Sequence, residues 1–213
     1  MKKILTPIIA VILLFTIAAF SLSEKPDGIS ETNDNSIISL DNINKLVKVI
    51  KDSPKGFTVN PYNMKTPTVG YVVSPIKNAE IKVQHSKIDN KHLKQYLDDI
   101  DDLQKLSDND VYAAGWLNTG DNNYYLDAVY VLKDRNRALY IAQAANQVAI
   151  YDLQVGDEIN TKDAIQKLKA SNKYNDATYT TVENNINLIA KKYSVYKRSD
   201  LLLSHTSENH QEI

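Results

Sequence analysis

Two runs of β-forming residues, Val111 to Asn118 and Tyr124 to Leu132, joined by Thr119-Gly120-Asp121-Asn122-Asn123, limit the fold more than any other part of the chain. Gly, Asp and Asn tolerate the positive φ angles that hairpin connections need, so the two runs read as an antiparallel hairpin. Asp134 stands where it can cap a following helix with Ala138, Ile141, Ala142 and Ala145 inward. Val148 to Tyr151 is then a short apolar strand that closes a β/α/β unit over Val111 to Asp152.

The flanks extend the same pattern. Asp41 reads as the cap of a helix whose buried side is Ile43, Leu46, Val47 and Ile50, stopped at Ser53-Pro54. Gly56 to Asn60, Thr68 to Ser74 and Glu80 to Gln84 read as short strands. A second helix opens at Asp89 or Asn90, with Leu93, Tyr96, Leu97, Ile100 and Leu103 on one side. Asp98, Asp99, Asp101 and Asp102 crowd its other side. They read as a solvated face, because the Gly turn and terminal Glu of a calcium loop are absent. Gly156-Asp157 reads as a turn, Thr161 as the start of a helix through Ala164, Ile165 and Leu168, and Thr180-Thr181-Val182-Glu183 as the capping box of a last one. The inward side of that last helix is Val182, Ile186, Ile189, Ala190 and Tyr193. Strands that neighbour as hairpins favour an α+β fold: a single domain with an antiparallel sheet and about five helices.

The N-terminus carries an address. Lys2 and Lys3 precede a stretch from Ile4 to Phe20 without a charged residue, and Ala19-Phe20-Ser21 and Ser21-Leu22-Ser23 offer small residues for cleavage. Residues 1–23 are therefore expected to be a signal peptide, or alternatively an uncleaved membrane anchor. Residues 24–40 read as a flexible linker, 41–203 as the domain and 204–213 as a disordered tail. The expected location is secreted, periplasmic or at the cell surface; the alternative is a single-pass anchored protein with its domain outside. Membrane contact is confined to residues 4–20. Cysteine is absent, which excludes disulfides, thiol chemistry and a lipid-modified cysteine. Lys2 and Lys3 are the only charged residues before Glu24, so removing them takes the formal net charge from −1 to −3. With Lys and Asp interspersed along the chain, no nucleic-acid partner is expected.

Chemistry is sparse. The chain has no Gly-rich phosphate loop, no G-x-S-x-G and no H-E-x-x-H. His205 and His210 are five apart, off the helical ligand spacing, and no metal or cofactor is expected. Alternation divides the second hairpin strand into Tyr124, Leu126, Ala128, Tyr130 and Leu132 on one face, and Tyr125, Asp127, Val129 and Val131 on the other. Asp127 interrupts an otherwise apolar face and must find a partner, stay solvated or take up a proton. Tyr125, Asp127, Asn146, Gln147 and Asp152 are the candidate polar cluster. The structural alternative has Asp127 and Asn146 tying the hairpin to the helix ends. Trp116, the only tryptophan, follows Gly115 and reads as core or hairpin cover, with a ligand platform as the alternative. Thirteen tyrosines against three phenylalanines leave amphipathic aromatic surface that suits binding.

Gly115-Trp116, Tyr125-Leu126-Asp127, the capped helix from Asp134, and Asn146-Gln147-x-Ala149-Ile150-Tyr151-Asp152-Leu153 together resemble a small α+β module of bacteriophage and mobile-element proteins. Lys55 to Asn60 and Gly70 to Ser74 are similar to its upstream strands, so the likeness covers about residues 55–153. It implies a common fold unit and a common polar cluster, and no reaction. The expectation is thus an exported, non-catalytic binding module for a protein or envelope component. The alternative is a secreted hydrolase-like enzyme or toxin built around Asp127.

Overall fold

A computed structural model describes residues 38–52, 56–76 and 80–208. The signal or anchor segment, most of the linker and residues 209–213 lie outside them. Among the described residues the architecture is α+β, with five α-helices and a seven-stranded antiparallel sheet. The helices are α1 (Leu40–Asp52), α2 (Asn90–Leu106), α3 (Arg135–Ala144), α4 (Thr161–Ala170) and α5 (Asp176–Glu208). The strands are β1 (Gly56–Val59), β2 (Tyr71–Val73), β3 (Ile81–Gln84), β4 (Val111–Asn118), β5 (Asn123–Leu132), β6 (Ala149–Asp152) and β7 (Asp157–Asn160).

The sheet runs β1-β4-β5-β2-β6-β7, and β3 pairs with the remaining length of β5. On one edge β5 is matched to β4 from Asn123↔Asn118 to Tyr130↔Val111. On its other edge β3 takes Asn123 to Leu126 and β2 takes Tyr130 to Leu132. Asp127, Ala128 and Val129 fall in the gap between those two partners. Because β5 and β6 are both antiparallel to β2, they run parallel with β2 between them.

The described helices all lie on one side of the sheet, with α5 seated on α2 and α3. Leu46 and Ile50 of α1, Leu93, Tyr96, Ile100 and Leu103 of α2, Leu139 and Ala142 of α3, Ile165 of α4 and Ile186 of α5 join Val59, Val73, Tyr124, Leu126, Tyr130 and Ile150 in one core. The opposite face has a small cluster of its own, Val72, Ala114 and Val129, bordered by Tyr112, Val131 and Leu153, with no helical residue. This one-sidedness follows from the strands' alternation, which sends Tyr124, Leu126 and Tyr130 inward and Tyr125, Asp127 and Val129 outward.

Tyr96 locks α2 to the sheet. Its phenol oxygen lies 2.8 Å from both the amide nitrogen and the carbonyl oxygen of Ala114, and 2.7 Å from the carbonyl oxygen of Asp127. These two residues face each other across β4 and β5, so the hydroxyl accepts from one strand and donates within the same pair. Tyr96→Phe keeps the ring packing but leaves buried backbone groups short of a partner. The expected loss is roughly 2 kcal/mol of unfolding free energy in urea titration; an unchanged midpoint would show that the ladder closes without the hydroxyl.

Several local expectations are corrected. Asp41 lies inside α1, paired with Lys45, and Ser39 Oγ accepts from the Asn42 amide in the capping role. Thr161 opens α4 where the sequence placed it, and Asn160 caps that helix through the Asp163 amide. The last helix begins at Asp176 rather than Thr180, because Asn175 accepts from the Thr178 amide and its own amide is held by the Tyr140 hydroxyl. Edge-to-face contacts of Tyr174 and Tyr179 with Tyr140 fix that first turn. The chain after Gly156 does not turn away; Asp157–Asn160 returns as β7 on the edge of β6. α5 continues through Glu208, into the segment read as a tail.

The aspartate run is less solvated than its composition implies. Asp98 is exposed and pairs with Lys94. Asp99, 9% exposed, pairs with Lys197 of α5, and Asp101 accepts from the Tyr62 hydroxyl. Asp102 pairs with Lys105. Asp99 and Asp101 therefore anchor neighbouring segments to α2, while Asp98 and Asp102 pair within the helix.

Candidate functional site

The face free of helices carries the candidate site. At one register position β1, β4, β5 and β3 contribute Gly56, Trp116, Tyr125 and Lys82 in a row. The Trp116 and Tyr125 rings are stacked, with centroids 4.8 Å apart and planes 13° from parallel. Lys82 Nζ stands 5.1 Å from the centroid of Tyr125, on the side where β3 lies. Gly56 has no side chain to cover the indole from the other side. Trp116 is consequently 49% exposed, which rules out the core half of its reading as core or hairpin cover. Its strand position put it on the outward face from the start, but only the tertiary structure reveals that nothing among the described residues covers that face.

The hairpin turn fixes this row. Asp121 accepts from the Tyr125 hydroxyl at 2.9 Å and pairs with Lys82 at 2.7 Å. Lys82 holds the Asp121 carboxyl well below the usual carboxylate range, and Asp121 in turn raises the Lys82 ammonium. Both groups are solvent-exposed, so the pair orients Tyr125 more than it stabilises the fold. Gly115 lies between Ala114 and Trp116 and faces the core. A Cβ there would sit 2.8 Å from the rings of Phe57 and Tyr124 and 2.9 Å from the Tyr125 carbonyl oxygen.

One register step pair further along β5, Asp127 stands opposite Ala114. Its Oδ1 accepts from the Ser74 hydroxyl at 2.9 Å, across the gap between β2 and β3. Burial pushes its carboxyl up to about 7; the Ser74 hydrogen bond opposes that shift and the nearby Glu80 adds to it. No cation balances it among the described residues, so below about pH 7 a proton does so. Sequence reasoning found the misplaced carboxylate but not its partner, since Ser74 is 53 residues away.

The remaining candidates lie elsewhere. Asn146 has φ 56° and ends α3, with the Gln147 amide returning to the Ala142 carbonyl at 2.7 Å. That left-handed position is one Asn accepts at little cost. Asp152 organises the β6–β7 turn by accepting from the Gln154 and Val155 amides. The structure thus brings Trp116, Tyr125 and Asp127 onto one face of adjacent strands, while Asn146, Gln147 and Asp152 serve chain reversals. Tyr151, 41% exposed, stands opposite Val72 on the outward face, and the sequence reading had passed over it. Tyr112 borders the same cluster. Alternation from Val72 and Val129 is the signal that could have found both.

Among the described residues, no group of three or more His, Cys, Asp or Glu could hold a metal ion, and no helix is long and apolar enough to cross a membrane. Neither a protein-family model, a curated protein nor a solved structure matches the chain.

Proposed function

We propose that the chain is an exported, non-catalytic binding module that meets its partner, a protein or envelope component, through the helix-free face of its sheet. The observation that carries this reading is the half-exposed Trp116 stacked on Tyr125 and framed by Lys82 and Asp121. Aromatic side chains held rigid by their neighbours lose little entropy on docking and dominate interface energetics. Export rests on the sequence of residues 1–23. The resemblance to a phage and mobile-element module adds a fold unit and no reaction. The hydrolase alternative drew on a cluster of Asp127, Asn146 and Gln147; their separate partners support the binding reading instead.

Two measurements test it. Mass spectrometry of the exported protein is expected to find an N-terminus at Leu22 or Glu24; an intact Met1 or Lys2 would indicate an anchored chain. Trp116→Ala is expected to weaken binding to isolated envelope material at least about tenfold, with thermal stability nearly unchanged, as for a central aromatic anchor. Undiminished binding by a folded Trp116→Ala protein would remove the face from consideration.

A further inference from the structure

We propose a second site, on the helical side: a groove between the end of α2, α3 and α5 that binds a small acid with an apolar body, an aliphatic carboxylate being the simplest form. The groove has a volume of about 390 Å³, within the range of small-molecule sites, roughly 300–1,000 Å³. Ile141 of α3 and Val182, Ile186 and Ile189 of α5 give it an apolar wall, and Arg137 and Lys192 bring two cations to it.

Those cations are what the fold leaves unexplained. Arg137 is half-buried, yet among the described residues it forms no ion pair, and its one side-chain hydrogen bond runs from Nη2 to Asn109 Oδ1 at 3.3 Å. A guanidinium has five N–H donors, and one drawn partly out of water normally meets a carboxylate. Lys192 on α5 likewise has no partner among the described residues. The third cation, Lys105, is already held by Asp102 at 3.1 Å and by Asp101. One acid, the exposed Asp108, lines the groove. Tyr130 also lines it, fully buried, its hydroxyl without a hydrogen bond of ordinary geometry although Ser107 and Asn109 are its polar neighbours. Two cations lacking counter-ions beside a wall of isoleucine and valine match a ligand that carries a carboxylate at one end and hydrocarbon at the other. The planar fork of Arg137 suits bidentate contact with the head.

Octanoate, added to the isotopically labelled full chain and followed by amide NMR shifts, tests the site. The expected result is saturable one-site binding with shifts centred on Arg137, Ile141 and Ile186. Octanol, with the same chain and no charge, and acetate, with the head alone, are each expected to bind at least about tenfold more weakly. Lys192→Gln, an exposed change that spares the core, and Arg137→Gln are each expected to weaken octanoate severalfold. Equal binding of octanol, variants with unaltered affinity, or shifts confined to other regions would overturn the proposal. Trp116→Ala is expected to leave octanoate binding intact, so failure of this site and failure of the sheet-face reading are distinguishable.

Discussion

At pH 8, Asp127→Asn is expected to stabilise the protein, and at pH 4 to leave its stability nearly unchanged. In the folded chain the Asp127 carboxyl is pushed up to about 7, chiefly by burial, from an ordinary value of 3.8. Between those values the folded state holds a proton that the unfolded state has released, so stability falls as pH rises from about 4 to about 7 and then levels off. Each pH unit in that interval is about 1.4 kcal/mol, which places the full difference near 4 kcal/mol. Asparagine keeps an acceptor for the Ser74 hydroxyl and carries no charge to desolvate. The gain at pH 8 is therefore about 2–4 kcal/mol, or roughly 5–10 °C in Tm for a domain of this size. Thermal melts of both proteins at pH 4, 6 and 8 check it. A difference that stays constant across the series would mean that Asp127 is charged throughout and solvated.

Gly115→Val is the change expected to damage the fold most. Three groups crowd the position within 2.9 Å of the absent Cβ, and one of them is the Tyr125 carbonyl oxygen, which belongs to the ladder and cannot swing aside. The Phe57 and Tyr124 rings are themselves stacked, so neither retreats without moving the other. Overpacking of a closed core costs about 1–3 kcal/mol, and a branched side chain against backbone lies at or above the upper end. A loss of about 3 kcal/mol or more in denaturant unfolding is expected, together with weaker Trp116–Tyr125 stacking in near-ultraviolet dichroism. A Gly115→Val protein as stable as the parent would show that β1 shifts away readily.

The hairpin and its capped helix were legible because local chemistry and tertiary need coincide there. Val111–Asn118 is a strand over the residues read from its composition, β5 gains only Asn123, and Asp134 caps α3 through the amides of Asn136 and Arg137. β7 was not legible, since Asp-Glu-Ile-Asn has no β-forming pattern and is a strand only because β6 offers it an edge. The capping box at Thr180 misplaced the start of α5, because contacts with Tyr140, 35 residues distant from Asn175, begin the helix at Asp176 instead. For the site, alternation separated the two faces of β5 correctly. Which face the helices would cover depends on long-range packing, and that choice turned Trp116 from a core residue into a surface one.

The placement of the single tryptophan also gives the molecule an optical reporter confined to one face. Tyr96, Tyr124 and Tyr130 are fully buried on the helical side, while the single tryptophan lies on the opposite surface. Emission excited selectively at the indole follows events at the outer face, whereas phenolic absorbance mixes the buried tyrosines with Tyr125, Tyr112 and Tyr151 of that same face. A partner settling on Trp116 changes that emission and leaves the backbone dichroism of the fold constant, whereas global unfolding changes both, so occupancy and loss of structure can be read apart.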